Sequence, residues 1–104
     1  MVNPNLLTQD VIISFLQTSI DGLFEAGIVD SKLTISPETL LIGEGAALDS
    51  VGFVTLLSEI EEKINAFTAK DIFIIFPDIQ ERNSNSNVLN VKMLSDYLIN
   101  ITNT

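Results

Sequence analysis

The sequence predicts an all-α fold: a small bundle of three main helices plus a short helix in third place, with a long loop between the first two. Three segments carry that prediction, around Ile12–Phe24, Val51–Ile64 and Val91–Ile101, because in each the apolar residues recur at three- and four-residue spacings. A chain of 104 residues that is 46% hydrophobic and 18% charged suits one soluble domain spanning 1–104. A chain of this size buries roughly two-thirds of its unfolded surface, enough for a bundle but not for a deep active-site cleft beside it.

The first helix starts at Thr8, a good N-cap, carries Ile12, Phe15, Leu16, Ile20, Leu23 and Phe24, and stops at Gly27. The next twenty or so positions mix turn residues (Asp30-Ser31, Ser36-Pro37, Gly43-Glu44-Gly45) with apolar anchors Leu33, Ile35, Leu40, Leu41 and Ile42. They read as a long ordered loop with one helical turn after Pro37. Loops this long in compact domains are functional or are pinned by their apolar residues.

A second helix opens at Asp49-Ser50, both good caps, and places Val51, Val54, Leu57, Ile60 and Ile64 on one face. Glu59, Glu61 and Glu62 then belong to the exposed face. The run Lys70-Asp71-Ile72-Phe73-Ile74-Ile75-Phe76-Pro77 is β-branched and aromatic. Lacking an evident partner strand, it is assigned an extended or short helical role on the core. Asp78–Arg82 forms the short third helix, residues 83–87 a polar linker, and Asn90 caps a last helix with Val91, Leu94, Tyr97, Leu98 and Ile101 inward and a polar tail from Thr102.

The absences limit the chemistry. With no His and no Cys, the chain lacks the usual neutral-pH general base and the most nucleophilic side chain. No disulfide framework is possible, and zinc and iron–sulfur sites lose their preferred ligands, so no resident metal is expected. A serine hydrolase fails for want of a histidine; a Ser–Lys dyad stays formally open, but Ser50 sits in no nucleophile-elbow pattern. The chain is therefore expected to be non-catalytic.

Fourteen Asp and Glu oppose five Lys and Arg, a formal charge of −9. Nucleic acids and anionic membranes are poor partners for such a surface. Acidity concentrates between Asp21 and Glu62, where only Lys32 opposes it. That region steers a basic protein partner, with Glu59 and Glu62 as docking residues, or else simply aids solubility. The N-terminal residues show no basic segment ahead of an apolar run, and no apolar stretch approaches a membrane span, so a cytoplasmic monomer is the default expectation.

The informative segment is Leu41-Ile42-Gly43-Glu44-Gly45-Ala46-Ala47-Leu48-Asp49-Ser50-Val51-Gly52-Phe53-Val54, followed by the apolar and acidic helix to Ile64. It resembles the modification site of acyl carrier proteins. In that family a serine within an Asp-Ser-Leu motif opens the second helix after a long loop, and a transferase attaches 4′-phosphopantetheine from coenzyme A to its hydroxyl. Asp49 and Ser50 match, and Val51 stands where the family usually has leucine. The resemblance extends over the first helix, the loop, the second helix and the last helix; the Ile72–Phe76 run departs from the more acidic sequence common there.

The resemblance implies that Ser50 bears the arm, that Asp49 assists recognition during modification, and that the carried group is a thioester presented to biosynthetic enzymes. Partners would be a phosphopantetheinyl transferase and acyl-loading and synthase enzymes with basic docking patches. In the family, acyl cargo enters an apolar space between the second and later helices, which makes Val54, Leu57, Ile75 and Leu94 candidates for its lining. The cargo stays open among fatty, polyketide, aminoacyl and sugar-lipid precursor groups. The Asp-Ser pair is closer to stand-alone acyl carriers than to the Gly-Gly-x-Ser pattern of peptide-synthesis modules. The alternative is an unmodified module of the same fold, acting as a regulatory or structural subunit, in which Asp49 and Ser50 are only helix caps.

Overall fold

In the computed structural model, which describes residues 6–46, 48–82 and 88–103, Thr8 sits where a helix start is expected. Its Oγ1 accepts a hydrogen bond from the Val11 N–H and caps α1 (Gln9–Glu25). Ile12, Leu16, Ile20 and Leu23 form the buried stripe. At the other end Gly27 takes φ +80°, the Ile28 N–H reaches the Leu23 carbonyl and the Gly27 N–H the Phe24 carbonyl. This is a Schellman closure, which a glycine adopts without the Cβ penalty.

The stretch after α1 is pinned by one side chain. The Gln17 amide donates to the Leu33 carbonyl and accepts from the Ile35 N–H, both at 2.8 Å, standing in for a neighbouring backbone. Val29 and Ile35 are buried below it. The expected helical turn after Pro37 is instead a tight turn closed by Thr39 N–H to Ser36 O, leading into a strand, β1 (Leu40–Ile42). β1 pairs antiparallel with β2 (Leu89–Asn90), with Leu40 opposite Asn90, Ile42 opposite Leu89, and a bulge between them. The fold is thus mostly helical, with a minor two-stranded sheet that the all-α expectation left out. Its partner strand lies almost fifty residues downstream, beyond the reach of any local pattern.

α2 (Ser50–Thr68) begins at the expected cap, Asp49, and runs past Asn65 to Ala69, which takes the left-handed conformation at φ 57°. Its phase differs from the expected one. Phe53, Leu56, Ile60 and Ile64 are buried, while Val51 and Val54 are 67% and 61% exposed. Both stripes satisfy a 3.6-residue period and share Ile60 and Ile64. The stripe that starts with the larger Phe53 and Leu56 removes more apolar area from water, so it faces the core.

Residues 70–75 belong to neither a helix nor the sheet. Their inward N–H groups are met by side chains: Ile72 by Asn65 Oδ1, Ile74 by Glu61 Oε2, and Ile75 by the Tyr97 hydroxyl. The Asn65 amide also donates to the Ile72 carbonyl. Glu61 therefore anchors this connector rather than standing free on the acidic face.

α3 (Phe76–Arg82) starts two residues before its expected first residue and buries Ile79. The expected polar linker, residues 83–87, lies outside the described residues. α4 (Val91–Thr102) is capped by the Asn90 side chain, which accepts from Met93 N–H. Two further first-turn N–H groups, of Val91 and Lys92, are taken by the carbonyls of Thr39 and Pro37. Thr102, expected in a polar tail, is buried as the last residue of α4, and its carbonyl accepts from the Lys70 ammonium. α1, α2 and α4 enclose the core, with Phe15 of α1 meeting Phe67 of α2 edge-to-face at 5.6 Å. α3 and the strand pair close one end. Among the described residues no helix is long and apolar enough to cross a membrane.

Candidate functional site

The start of α2 is built around the Asp49 carboxylate, which accepts from the Gly52 N–H at 2.8 Å. The Phe53 N–H bonds the Asp49 carbonyl. Glycine at position 52 has a packing reason: an added Cβ would lie 3.3 Å from Asp49 Oδ1 and 3.4 Å from a Leu48 methyl. The close approach there is thus made by the chain's own capping loop.

With capping assigned to Asp49, the Ser50 hydroxyl is not needed for it. Ser50 is the first helical residue, is exposed, and its hydroxyl has no hydrogen-bond partner among the described residues. It stands at the positive end of a nineteen-residue helix whose first turn contains no acidic side chain. Unpaired amide N–H groups and the helix dipole make that end favourable for an anion such as a phosphodiester. The Asp49 charge opposes this, but the carboxylate is committed to the Gly52 amide.

Beside Ser50 opens a cavity of about 440 Å³. α2 supplies Phe53, Val54 and Leu57; the strand pair supplies Leu41, Ile42 and Leu89; α3 supplies Phe76, Ile79 and Gln80, with Leu48 and Val88 completing it. Phe53 and Phe76 meet edge-to-face, centroids 5.5 Å apart, and tie α3 to α2 across one side of the cavity. Among the described residues of the lining, every side chain is apolar except those of Asp49, Ser50 and Gln80.

Of the four lining residues expected from the sequence, Val54 and Leu57 border this cavity, together with Ser50 and Asp49. Ile75 and Leu94 are not. Ile75 is turned outward, 48% exposed, and Leu94 is sealed in the core. Leu41, Ile42, Leu89, Phe76 and Ile79 were overlooked as lining, because the first three reach the cavity only through the pairing of β1 with β2. Phe53 carried a signal, since it belongs to the second stripe that the periodicity of α2 allows. Glu59 is half-buried and Glu62 exposed on α2. Among the described residues no group of three acidic side chains is placed to hold a metal ion. No family model, curated protein or solved structure matches the chain.

The capping role of Asp49 is measurable. Asp49→Ala is expected to lower stability by about 1 kcal/mol, read as a lower midpoint in urea with an unchanged slope. An unchanged midpoint would show that the Gly52 hydrogen bond contributes nothing.

Proposed function

We propose that the chain is a carrier protein of the acyl carrier type, non-catalytic itself, which bears 4′-phosphopantetheine on Ser50 and presents a thioester-linked acyl group to biosynthetic enzymes. The observation that carries this reading is an exposed serine hydroxyl, without a hydrogen-bond partner among the described residues, at the positive end of a helix on the rim of an apolar cavity. A helix cap alone needs no such cavity. In the modification, the Ser50 oxygen forms a phosphoester bond to coenzyme A's pantetheine-bearing phosphorus and the pyrophosphate bond breaks. The nucleotide leaves as the bisphosphate and the serine proton passes to the transferase. The arm supplies a thiol that the chain, having no cysteine, lacks.

The chain's own residues prepare this site. Asp49 holds the helix start, Gly52 lets its carboxylate close on the backbone, and Phe53, Leu57 and Ile79 keep water away from whatever enters the cavity. An apolar lining favours a fatty or reduced polyketide acyl chain over a charged aminoacyl group, since each buried methylene contributes up to roughly 0.8 kcal/mol. The test is intact-mass spectrometry after incubation with coenzyme A and a broad-specificity phosphopantetheinyl transferase. One added arm is expected; no addition, under conditions that modify a control carrier, overturns the reading and leaves the unmodified interaction module.

Glu59 and Glu62 would receive Lys and Arg side chains of the transferase and synthase enzymes. Glu59→Lys with Glu62→Lys is expected to slow modification severalfold at low salt and to flatten its salt dependence, because exposed charges are screened over about 10 Å at 0.1 M ionic strength. Unchanged transferase kinetics, with the fold intact by circular dichroism, would reduce these residues to solvating ones.

A further inference from the structure

The side of α3 turned away from Ser50 carries a second feature. In the connector Ile72, Ile74 and Phe76 turn inward and Phe73 and Ile75 outward, Phe73 being 72% exposed. Ile75 serves the fold through its backbone, its carbonyl accepting from the Asp78 and Ile79 N–H groups, and the N–H groups of Ile72 and Ile74 hold the segment to α2, so the two outward side chains are left largely to solvent. Phe73 itself has no hydrogen-bond partner among the described residues. An exposed phenylalanine beside a half-exposed isoleucine makes a small apolar patch open to solvent. The Ile75 N–H donates to the Tyr97 hydroxyl, and Tyr97 lines an open cleft between α3 and α4 with Asp78, Glu81, Asn100 and Ile101. Apolar pair and acidic cleft are therefore contiguous.

The two faces of α3 are separated. Phe76, Ile79 and Gln80 line the cavity at Ser50, Asp78 and Glu81 line the cleft, and no described residue lines both. Neither Asp78 nor Glu81 has an ion pair among the described residues, where the salt bridge found is Lys92 with Asp96. The nearby Lys70 ammonium is held by the Thr102 carbonyl.

We propose that Phe73, Ile75 and the Asp78–Glu81 cleft form a docking surface for a basic protein segment, one that sets an apolar side chain against Phe73 and Ile75 and Lys or Arg side chains against the two carboxylates. Charge selects this occupant over a second copy of the chain. Self-association would bring Asp71, Asp78 and Glu81 of two molecules of net charge −9 together. A partner held here leaves the mouth at Ser50 open, and the surface is independent of whether Ser50 is modified.

The test uses the full chain and a fluorescent synthetic peptide of alternating paired leucines and lysines, followed by anisotropy, with amide shifts of the labelled protein mapped by NMR. Shifts are expected to concentrate on residues 71–81 and the end of α4. The exposed double variant Phe73→Ser with Ile75→Ser, which keeps the charge, is expected to weaken binding at least about tenfold. Asp78→Asn with Glu81→Gln is expected to weaken it and flatten its salt dependence. Ser50→Ala leaves it unchanged. Absence of binding, or binding that both variants leave intact with shifts at Glu59 and Glu62, overturns the proposal. So does a dimer of the wild type in sedimentation equilibrium that Phe73→Ser dissolves, since a second copy would then be the occupant.

Discussion

Ser50→Ala is expected to abolish attachment of the phosphopantetheine arm completely, while Ser58→Ala, an exposed serine on the body of the same helix, is modified at the wild-type rate. The change removes only the hydroxyl oxygen. Asp49 caps α2 and the Ser50 hydroxyl bonds nothing among the described residues, so folding stability should move by less than about 0.5 kcal/mol. A mutant with native circular dichroism and no added mass therefore reports chemistry, not unfolding. Equal addition to wild type and mutant would place the arm elsewhere and remove Ser50 from the proposal.

Leu94→Ala is expected to destabilise the protein by about 2–5 kcal/mol, the range for truncating a fully buried leucine. For a domain of this size that lowers the melting temperature by roughly 8 °C or more. Leu94 is enclosed by the core and takes no part in the cavity at Ser50. The acyl-length dependence should therefore survive the substitution. On the modified protein, melting temperature should rise with acyl length and then level off, and the length at which it levels should match between wild type and Leu94→Ala. Leu57→Phe should do the opposite: a small stability change on the bare chain, because the larger ring extends into open space, and a plateau reached at shorter acyl chains. A plateau moved by Leu94→Ala and unmoved by Leu57→Phe would mean that the cargo lies in the core rather than in the cavity.

Helix ends were the most legible part of this fold. Thr8, Asp49 and Asn90 were readable as caps because an N-cap depends on one side chain and an amide two or three residues on, an interaction contained in the local sequence. Gly27 was readable as a stop for the same reason. Ser50 was singled out by the resemblance of its segment to acyl carrier proteins, the cap alone giving no reason to choose it. The phase of α2 was not legible, since the stripes beginning at Val51 and Phe53 are both helical and only the surrounding helices choose between them.

The sequence alone determined the helical class, both ends of α1, the starts of α2 and α4, the acidic charge and the lack of imidazole and thiol side chains. Each depends on residues at most a few positions apart, or on composition. The tertiary structure decided what depends on distant segments meeting. Thr39 and Pro37 cap α4 from more than fifty positions away, and β1 and β2 pair across the whole of α2 and α3. That pairing makes one wall of the cavity, and the side chains of Asn65, Glu61 and Tyr97 hold residues 72–75 in place with Phe73 outward. A β-branched run looks alike in sequence whether its amides are met by a strand or by side chains. Only the folded chain shows which donor finds which acceptor.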